Sequence, residues 1–442
     1  MEYNTKLLTV DKVMKRKSLS EKAILSYVWP LLLLFKIAGL APFSIVSNAA
    51  THKQKRGSPI FVQSRFGRLY NLILVAVMIS STYLSIPFRI SMRYPSKSEL
   101  TIYIEVFQAT LGALTVCTIF LSAYFYESVL VKTGNRLVHI ERLLHQLIQP
   151  INRVRIFREF LCACLFGISL TLTILAMDVM AFAASPISWL ADVLPAFLIT
   201  LYFIQYFFVV SLLMAYFTDV NRGMQNMTRN SMSTVESLYQ AQRVLVSGSS
   251  IGTLLQLRNT HEWLCDISSD ISQFYSVPML FSIAFFFLTL VYNAYYFVVS
   301  FPIEQVKKLT FLGNSVCWMI GSLYPVLLLT WKITNINNEV CWKIQKLGSI
   351  VHTLLSCAVD REAKTQLKLL SLQLLHRNIK FTASGFFALD NTLFHSIITA
   401  ATTYLVIILQ FHMGSTDDVQ PSESRNCLVE NNLRNIALDK QG

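Results

Sequence analysis

Seven segments of the chain are long and apolar enough to cross a membrane, and this feature constrains the fold more than any other. A transmembrane helix needs roughly 20 predominantly apolar residues. Because backbone groups in lipid must hydrogen-bond within their own segment, such runs predict helices. The sequence therefore predicts an all-α, polytopic membrane helix bundle with seven transmembrane helices. The candidate spans are Leu69–Ile90, Ile102–Tyr126, Phe160–Ala184, Trp189–Phe217, Val277–Phe301, Thr310–Trp331 and Asn391–Phe411.

Composition agrees with this interpretation. Hydrophobic residues make up 53% of the 442 residues and charged residues only 14%, whereas soluble domains carry roughly 25% charged residues. A disordered chain and an ordinary soluble enzyme are excluded. The sequence contains no P-loop, no zinc-protease motif and no hydrolase elbow, and its eight Cys form no CxxC pair or His/Cys cluster. We therefore expect no enzyme activity, no metal and no cofactor.

The basic residues predict an orientation. The net charge is +13, and 30 of the 38 Lys and Arg fall in residues 1–68, 127–159, 218–276 and 332–390. Since loops rich in Lys and Arg stay in the cytoplasm, the excess indicates basic inner loops and not nucleic-acid binding. The N-terminus is then cytoplasmic and the C-terminus extracellular. A further apolar run, Ala23–Pro42, is interrupted by Pro30 and Lys36, and we interpret it as a partly embedded helix before the first span.

The inner segments are long and amphipathic. Leucine and isoleucine recur at helical spacing within 127–159 and 361–380, so helices 2, 4 and 6 are expected to continue below the bilayer and pack together there. The alternative is that these stretches lie along the lipid headgroups. The expected organisation is a cytoplasmic arm with the embedded helix (1–68), a six-helix bundle with cytoplasmic extensions (69–331), a cytoplasmic segment (332–390), a last spanning helix (391–411) and an extracellular disordered tail (412–442).

The last span carries an uncharged polar stripe. At steps of three and four residues, one face presents Thr392, Ser396, Thr399, Thr403, Ile407 and Gln410. Small polar residues in lipid often mark contacts between helices. The other interpretation is a wall facing water, with Ile407 and Gln410 near a constriction. One helix per chain cannot enclose a channel, so a pore would need a ring of subunits. At the start of this span Asp390 is expected to act as an N-cap.

The same span carries a recognisable signature. The run Thr403-Tyr404-Leu405-Val406-Ile407-Ile408-Leu409-Gln410-Phe411 resembles the T-Y-h-h-h-h-h-Q-F motif (h, hydrophobic) of insect gustatory receptors. The segment before it, with Leu374-Leu375-His376, Phe381-Thr382-Ala383, Gly385-Phe386-Phe387 and Leu389-Asp390, is also similar to that family. So is His261-Glu262-Trp263-Leu264-Cys265-Asp266 before the fifth span.

The resemblance implies a gustatory chemoreceptor that works as a tastant-gated, non-selective cation channel in the plasma membrane of sensory neurons. Members assemble as homotetramers or heterotetramers in lipid, bind a small-molecule tastant in the outer half of helices 1–6, and use no nucleic acid. Carried over, Gln410 and Phe411 form the outer gate, with Thr403, Tyr404 and Ile407 below it. Many sugar receptors have Glu after the T-Y pair, where this chain has Leu405. This favours a bitter or other non-sugar ligand, with a fructose-type receptor as the alternative.

Few polar groups lie in the outer halves of the spans, and ligand pockets combine apolar walls with a few polar groups. Asp178 is notable because a carboxylate within a span tends to mark function, although it could instead be a structural acid. Glu105 is expected to be solvated, and the tyrosines of the fifth span could form an interfacial belt. The candidate ligand-binding residues are Gln108, Asp178, Tyr202, Gln205, Tyr292, Asn293, Tyr296, Asn314 and Trp318.

Two other classes of protein also have many spans. A G-protein-coupled receptor has seven, but its N-terminus is outside, which the distribution of Lys and Arg disfavours. The third span also lacks an acid-Arg-Tyr triplet at its end. A secondary transporter would be expected to show an internal repeat or paired broken helices, and the sequence shows neither.

Overall fold

The computed structural model describes residues 32–45, 61–91, 99–147, 153–182, 186–238, 248–299, 305–357, 361–376 and 381–417. Seven of the described helices are long and apolar enough to cross a bilayer, as the sequence predicts. The first described helical residues, 32–37, form α1. The other helices are α2 (Arg65–Ser91), α3 (Glu99–Phe125), α4 (Glu127–Leu147), α5 (Val154–Phe182), α6 (Pro186–Ala191), α7 (Val193–Leu238), α8 (Gly248–Val299), α9 (Gln305–Cys357), α10 (Arg361–His376) and α11 (Asn391–Asp417).

Several helices are much longer than a bilayer is thick. With a rise of 1.5 Å per residue, the 46 residues of α7 span about 69 Å, against a hydrocarbon core of about 30 Å. Helices α8 and α9, of 52 and 53 residues, are longer still. Helix α4 follows α3 after a break at Tyr126. The predicted extensions of helices 2, 4 and 6 are therefore present, and the fifth spanning helix, α8, extends in the same way.

Two ends of the bundle are distinguished below. The upper end is where α2, α5 and α8 finish and where α3, α7 and α9 begin; the lower end carries α4 and α10. Helix α7 is the most buried of the seven spans and α11 the least. The largest fully buried side chains are aromatic and include Tyr202, Tyr206 and Tyr275. The core thus lies around α7, with α11 at the periphery.

The described part of the predicted embedded run packs inside the bundle. Phe35 and Leu40 are almost fully buried, and the ring of Phe35 lies 5.8 Å from that of Phe160 on α5. The chain turns at Gly39, whose φ is +74°, and a Cβ there would lie 2.6 Å from the Leu74 side chain. Only glycine adopts this conformation in so little space. Residues 23–31 of the run lie outside the described part of the chain.

Two short antiparallel ribbons connect the helices. Strand β1 (Ser44–Ile45) pairs with β2 (Phe61–Val62), with Ser44 opposite Val62. Strand β3 (Thr382–Ala383) pairs with β4 (Phe387–Ala388), with Thr382 opposite Ala388, and leads directly into α11. The turn between β3 and β4 has positive φ at Ser384 and Gly385. Helix α11 continues to Asp417, beyond Phe411, where the predicted span ends; residues 418–442 are outside the described ranges.

Candidate functional site

Helix α11 separates an apolar face from a polar one. Its apolar side packs on the bundle through Leu393, Ile397 and Ala401, each only 8% exposed. The predicted stripe points away from the rest of the chain: Thr392, Ser396, Thr399, Thr403, Ile407 and Gln410 are all exposed. The stripe is therefore not a contact between helices of one chain.

The rest of the predicted gate is also exposed. Tyr404 is 53% and Phe411 73% exposed, although the Tyr404 ring still meets Phe287 of α8 edge-on at 5.9 Å. At the lower end of the same helix, the backbone N–H of Thr392 donates to the Asp390 carboxylate at 3.0 Å, so Asp390 caps α11 as expected. The gate residues thus share one surface at the upper end of α11.

A narrow cavity lies in the upper half of the bundle between α5, α7, α8 and α9. The space within which the centre of a water molecule can move is about 20 Å³, slightly more than one water needs. An organic ligand would therefore have to displace side chains to enter. The walls are formed by Gly167, Leu170, Thr171, Ile174, Val193, Ala196, Phe197, Thr200, Phe286, Thr289, Trp318, Gly321 and Ser322.

Of the nine predicted ligand residues, Trp318 lies on the cavity wall. Its indole N–H donates to the Asp178 carboxylate at 3.1 Å, and Asn314 hydrogen-bonds to the same carboxylate. Asp178 is therefore not itself a lining residue, but its hydrogen bond orients the Trp318 ring, which is. Arg89 lies near enough to interact electrostatically with Asp178, and it also forms an ion pair with Asp192.

A second group of predicted residues is connected to the wall through Thr289. The Gln108 side-chain amide donates to the Thr289 hydroxyl at 3.2 Å. The Asn293 amide, one turn along α8, donates to the Thr289 carbonyl at 2.8 Å. Both residues are buried, so they support the wall from behind without lining it.

The two predicted ligand residues Tyr292 and Tyr296 of α8 lie nearer the upper end. Tyr292 donates its hydroxyl proton to the Glu105 carboxylate at 2.7 Å, so Glu105 has a protein partner, in contrast to the expected solvated side chain. Tyr296 is buried and packs near Tyr292 and Phe311, at 6.2 and 6.3 Å between ring centroids. Neither tyrosine reaches the cavity wall.

Two of the predicted ligand residues, Tyr202 and Gln205, make contacts unrelated to the cavity. Tyr202 is fully buried in an aromatic cluster, 5.1 Å from Tyr275, and Tyr275 stacks on Tyr206 at 4.1 Å. The Gln205 amide donates to the Leu40 carbonyl at 3.0 Å and so fastens the buried N-terminal segment to α7. Their position along the span predicted a suitable depth for both residues, but neither lies on the cavity wall.

Sequence reasoning missed most of the cavity wall because its residues are small or apolar. The available signal was the pair Gly167 and Thr171, four residues apart on α5, and the pair Gly321 and Ser322 on α9. Small residues let helices approach closely, and a Cβ on Gly321 would lie 2.8 Å from the Ile174 side chain. Glycine and hydroxyl residues within apolar runs were thus better indicators of the cavity than amides and tyrosines.

The chain was compared with known proteins. The sequence profile of the family described as 7tm Chemosensory receptor matches residues 29–415. A Drosophila melanogaster protein named as gustatory receptor 28b is 24% identical over 96% of this chain and 93% of its own length. The gustatory receptor for bitter taste 66a of the same species is 22% identical over 40% of this chain and 33% of its own.

The fold also resembles a solved structure. The insect olfactory receptor OR5 from Machilis hrabei superposes with a TM-score of 0.58 at 12% sequence identity, over 88% of this chain and 98% of that one. At this identity the likeness concerns the fold, and the fold is the predicted bundle of seven spanning helices. The chain is therefore a multi-pass membrane protein and a receptor, not an enzyme, and it belongs to the insect gustatory receptor branch of the 7tm chemosensory receptor family.

Proposed function

We propose that this chain is a subunit of a ligand-gated, non-selective cation channel in which α11 lines a central pore. The observation that carries the proposal is the exposed polar stripe of α11, opposite the face that packs on the bundle. A peripheral helix with uncharged polar groups facing outward is suited to a water-filled axis shared by several subunits. Assembly as a homotetramer would place four copies of Gln410 and Phe411 around that axis, and in a heterotetramer the related subunits would contribute their own residues at these positions.

In this proposal the lower end of the bundle is cytoplasmic and the upper end extracellular. The Lys and Arg distribution supports the orientation, since the 33 residues of 127–159 and the segment 332–390 hold many of the basic residues. The lower parts of α7, α8 and α9 extend well past any bilayer and are suited to hold subunits together. We assign residues 332–390 to this anchor and the plasma membrane of a sensory neuron as the location.

The ligand is proposed to be a small, non-sugar tastant that enters the cavity between α5, α7, α8 and α9. Leu405 stands where many sugar receptors carry Glu, and one similar protein is named for bitter taste. Cells that express the chain alone, imaged for calcium entry against sugars, amino acids, nucleosides and bitter compounds, will identify an agonist. A response to fructose would favour the fructose-type alternative.

The pore assignment is tested with two cysteine variants. Gln410→Cys places a thiol on the polar stripe, and Leu409→Cys places one at nearly the same depth but about 100° around the helix. Both are made in a Cys427→Ser background, because the proposed topology puts Cys427 outside. A small cationic methanethiosulfonate applied extracellularly should block the Gln410→Cys current, faster with agonist, and spare Leu409→Cys. Equal block of both variants, or of neither, would refute the pore-lining role.

A further inference from the structure

The cavity wall is uncharged and mostly apolar, with a few polar groups. Among the described residues that line it, none is ionisable, and most are aliphatic or aromatic. A charged ligand entering it would lose its hydration without meeting an opposite charge on the wall, which is strongly unfavourable. The polar groups on the wall are four hydroxyls and one indole, on Thr171, Thr200, Thr289, Ser322 and Trp318.

Each of these five side chains already donates a hydrogen bond to another group of the protein. Each hydroxyl donates its proton to a carbonyl oxygen about one turn earlier in its own helix, at 2.8 to 2.9 Å. The Trp318 N–H donates to Asp178 behind the wall at 3.1 Å. The hydroxyl oxygens retain lone pairs, although that of Thr289 also accepts from Gln108. The wall therefore offers a ligand hydrogen-bond acceptors but no free side-chain donor.

From this arrangement we infer that the cavity selects a small, neutral, largely apolar or aromatic molecule that carries a hydrogen-bond donor of its own, such as a phenol or an alcohol. The inference rests on the proposed function, because it names the ligand class of the same site. A ligand hydroxyl can donate to the free lone pair of Thr171, Thr200 or Ser322, while Phe197, Phe286 and Trp318 cover its apolar part.

The same wall disfavours sugars. Each sugar hydroxyl presents lone pairs as well as a proton, and the lone pairs would find no side-chain donor on the wall. Each unsatisfied polar group in a closed apolar site weakens binding, and a sugar carries several such groups. The molecules that lose least free energy on entering the cavity are those with one or two hydrogen-bond donors and few acceptors.

The test compares ligands that differ only in the donor. Purified full-length protein is heated in detergent with phenol, 4-ethylphenol or thymol, and separately with the methyl ether of each, and the shift in melting midpoint gives the apparent Kd. Sodium 4-ethylbenzoate and glucose serve as charged and many-acceptor probes. We expect at least one phenol to bind about twofold to tenfold more tightly than its ether, the range for one neutral hydrogen bond, and the benzoate and glucose to give no shift.

Valine and alanine variants then locate the acceptor. Thr171→Val, Thr200→Val and Ser322→Ala each remove one wall hydroxyl with little change in shape. Thr173→Val is the matched control, because Thr173 makes the same backbone bond on α5 but is exposed on the outer face. At least one wall variant should lower the phenol-to-ether preference about twofold to tenfold, and the control should keep it.

The outcomes separate the two proposals. Absence of any phenol shift, a preference that survives all three wall variants, or tight binding of glucose or benzoate would overturn the inferred ligand class. Agonist-gated current in cells is recorded independently. Donor-dependent binding without current would sustain the inference and refute the channel, whereas current opened only by sugars or charged compounds would sustain the channel and refute the inference.

Discussion

At the scale of single residues, the position of Asp178 changes its expected role. The sequence marked it as a candidate ligand contact, and the structure gives its carboxylate two protein partners, Trp318 and Asn314. A carboxylate committed in this way orients the indole that lines the cavity. In the proposed ligand site Asp178 is therefore a positioning residue, which would act on a ligand through Trp318.

Two substitutions test this role. Asp178→Asn keeps an oxygen that can accept the Trp318 N–H, whereas Asp178→Leu removes it and leaves a buried donor unsatisfied, which costs about 1–3 kcal/mol. The leucine variant should melt at a lower temperature and weaken the response to agonist, and the asparagine variant should change both much less. Dose–response curves normalised to surface expression provide the measurement. Equal impairment of the two variants would assign the effect to the lost charge near Arg89.

A second residue-scale prediction concerns a buried cation at the lower end. Arg153 is 8% exposed; it pairs with Glu141 at 2.5 Å and Asp219 at 3.4 Å, and its guanidinium lies 4.1 Å from the centre of the Tyr216 ring. Burial alone would lower the pKa of Arg153, but Tyr216, Glu141 and Asp219 outweigh it and raise the pKa. The guanidinium thus stays charged and ties α4 to α7.

Removing this cation should destabilise the protein. Arg153→Met removes the cation that pairs with the buried Asp219 and the half-buried Glu141, and the loss of one member of a buried ion pair costs about 3–5 kcal/mol. The matched control is Arg155→Met, because Arg155 is 78% exposed and pairs with Glu159 at a spacing of four residues, an arrangement that contributes about 0.3–0.5 kcal/mol. Chemical denaturation in detergent should show the large difference; similar midpoints would mean that solvent reaches the Arg153 cluster.

At the scale of elements, α8 connects the cavity to the proposed pore helix. Phe286 lines the cavity, and the next residue, Phe287, meets the Tyr404 ring of α11 edge-on at 5.9 Å. Successive residues of a helix point about 100° apart, so one turn of α8 faces both sites. In the proposed mechanism, a ligand that widens the cavity would therefore act on α11 through this turn of α8.

The Phe287–Tyr404 contact should affect opening more than binding. An aromatic pair contributes about 0.5–1.5 kcal/mol beyond its area, so Phe287→Ala should change the balance of closed and open channels by up to about tenfold. The ligand Kd from thermal shifts should remain near the parent value. Val277→Ala, at an exposed position of the same helix, is the control. If the changes in the free energy of opening caused by Phe287→Ala and Tyr404→Leu simply add in the double variant, the two rings are not coupled.

At the scale of the whole molecule, the least buried span is the one proposed to line the pore. A helix held on one side only, by Leu393, Ile397 and Ala401, has room on its other faces for neighbouring subunits and for an axis. The ribbon β3–β4 before it is tied to α8, since the Ser384 backbone N–H donates to the Ser276 hydroxyl. The fold of one chain thus presents α11 for assembly without enclosing it.

The orientation gives a whole-molecule prediction. An epitope placed after Gly442 should be labelled on intact cells, and one placed before Met1 should be labelled only after permeabilisation, because the basic loops hold the lower end in the cytoplasm. Flow cytometry of the two tagged proteins, each expressed in the same cell line with and without permeabilisation, provides the measurement. The reverse pattern would contradict the channel proposal and support a receptor with its N-terminus outside, as in the G-protein-coupled class.

The sequence predicted some features of the protein well and others poorly, because the physical signals for them differ. The polar stripe of α11 could be read directly, since helical periodicity alone places Ser396, Thr403 and Gln410 on one face. The ligand site could not be read in this way. The position of Tyr202 and Gln205 along their span gives their depth in the bilayer but not the neighbours of each side chain. The structure places Tyr202 in an aromatic cluster and Gln205 against the Leu40 carbonyl.

By itself, the sequence determined the number of spans, their helical state and the family, because lipid permits a single backbone solution for an apolar run of 20 residues and because the Thr403–Phe411 signature is contiguous. Only the tertiary structure decided which polar groups meet. Asp178 and Trp318 are 140 residues apart, and Gln108 and Thr289 are 181 apart. Such pairs depend on the rotation of each helix about its axis, which is set by the packing of the small residues between helices and not by any local pattern.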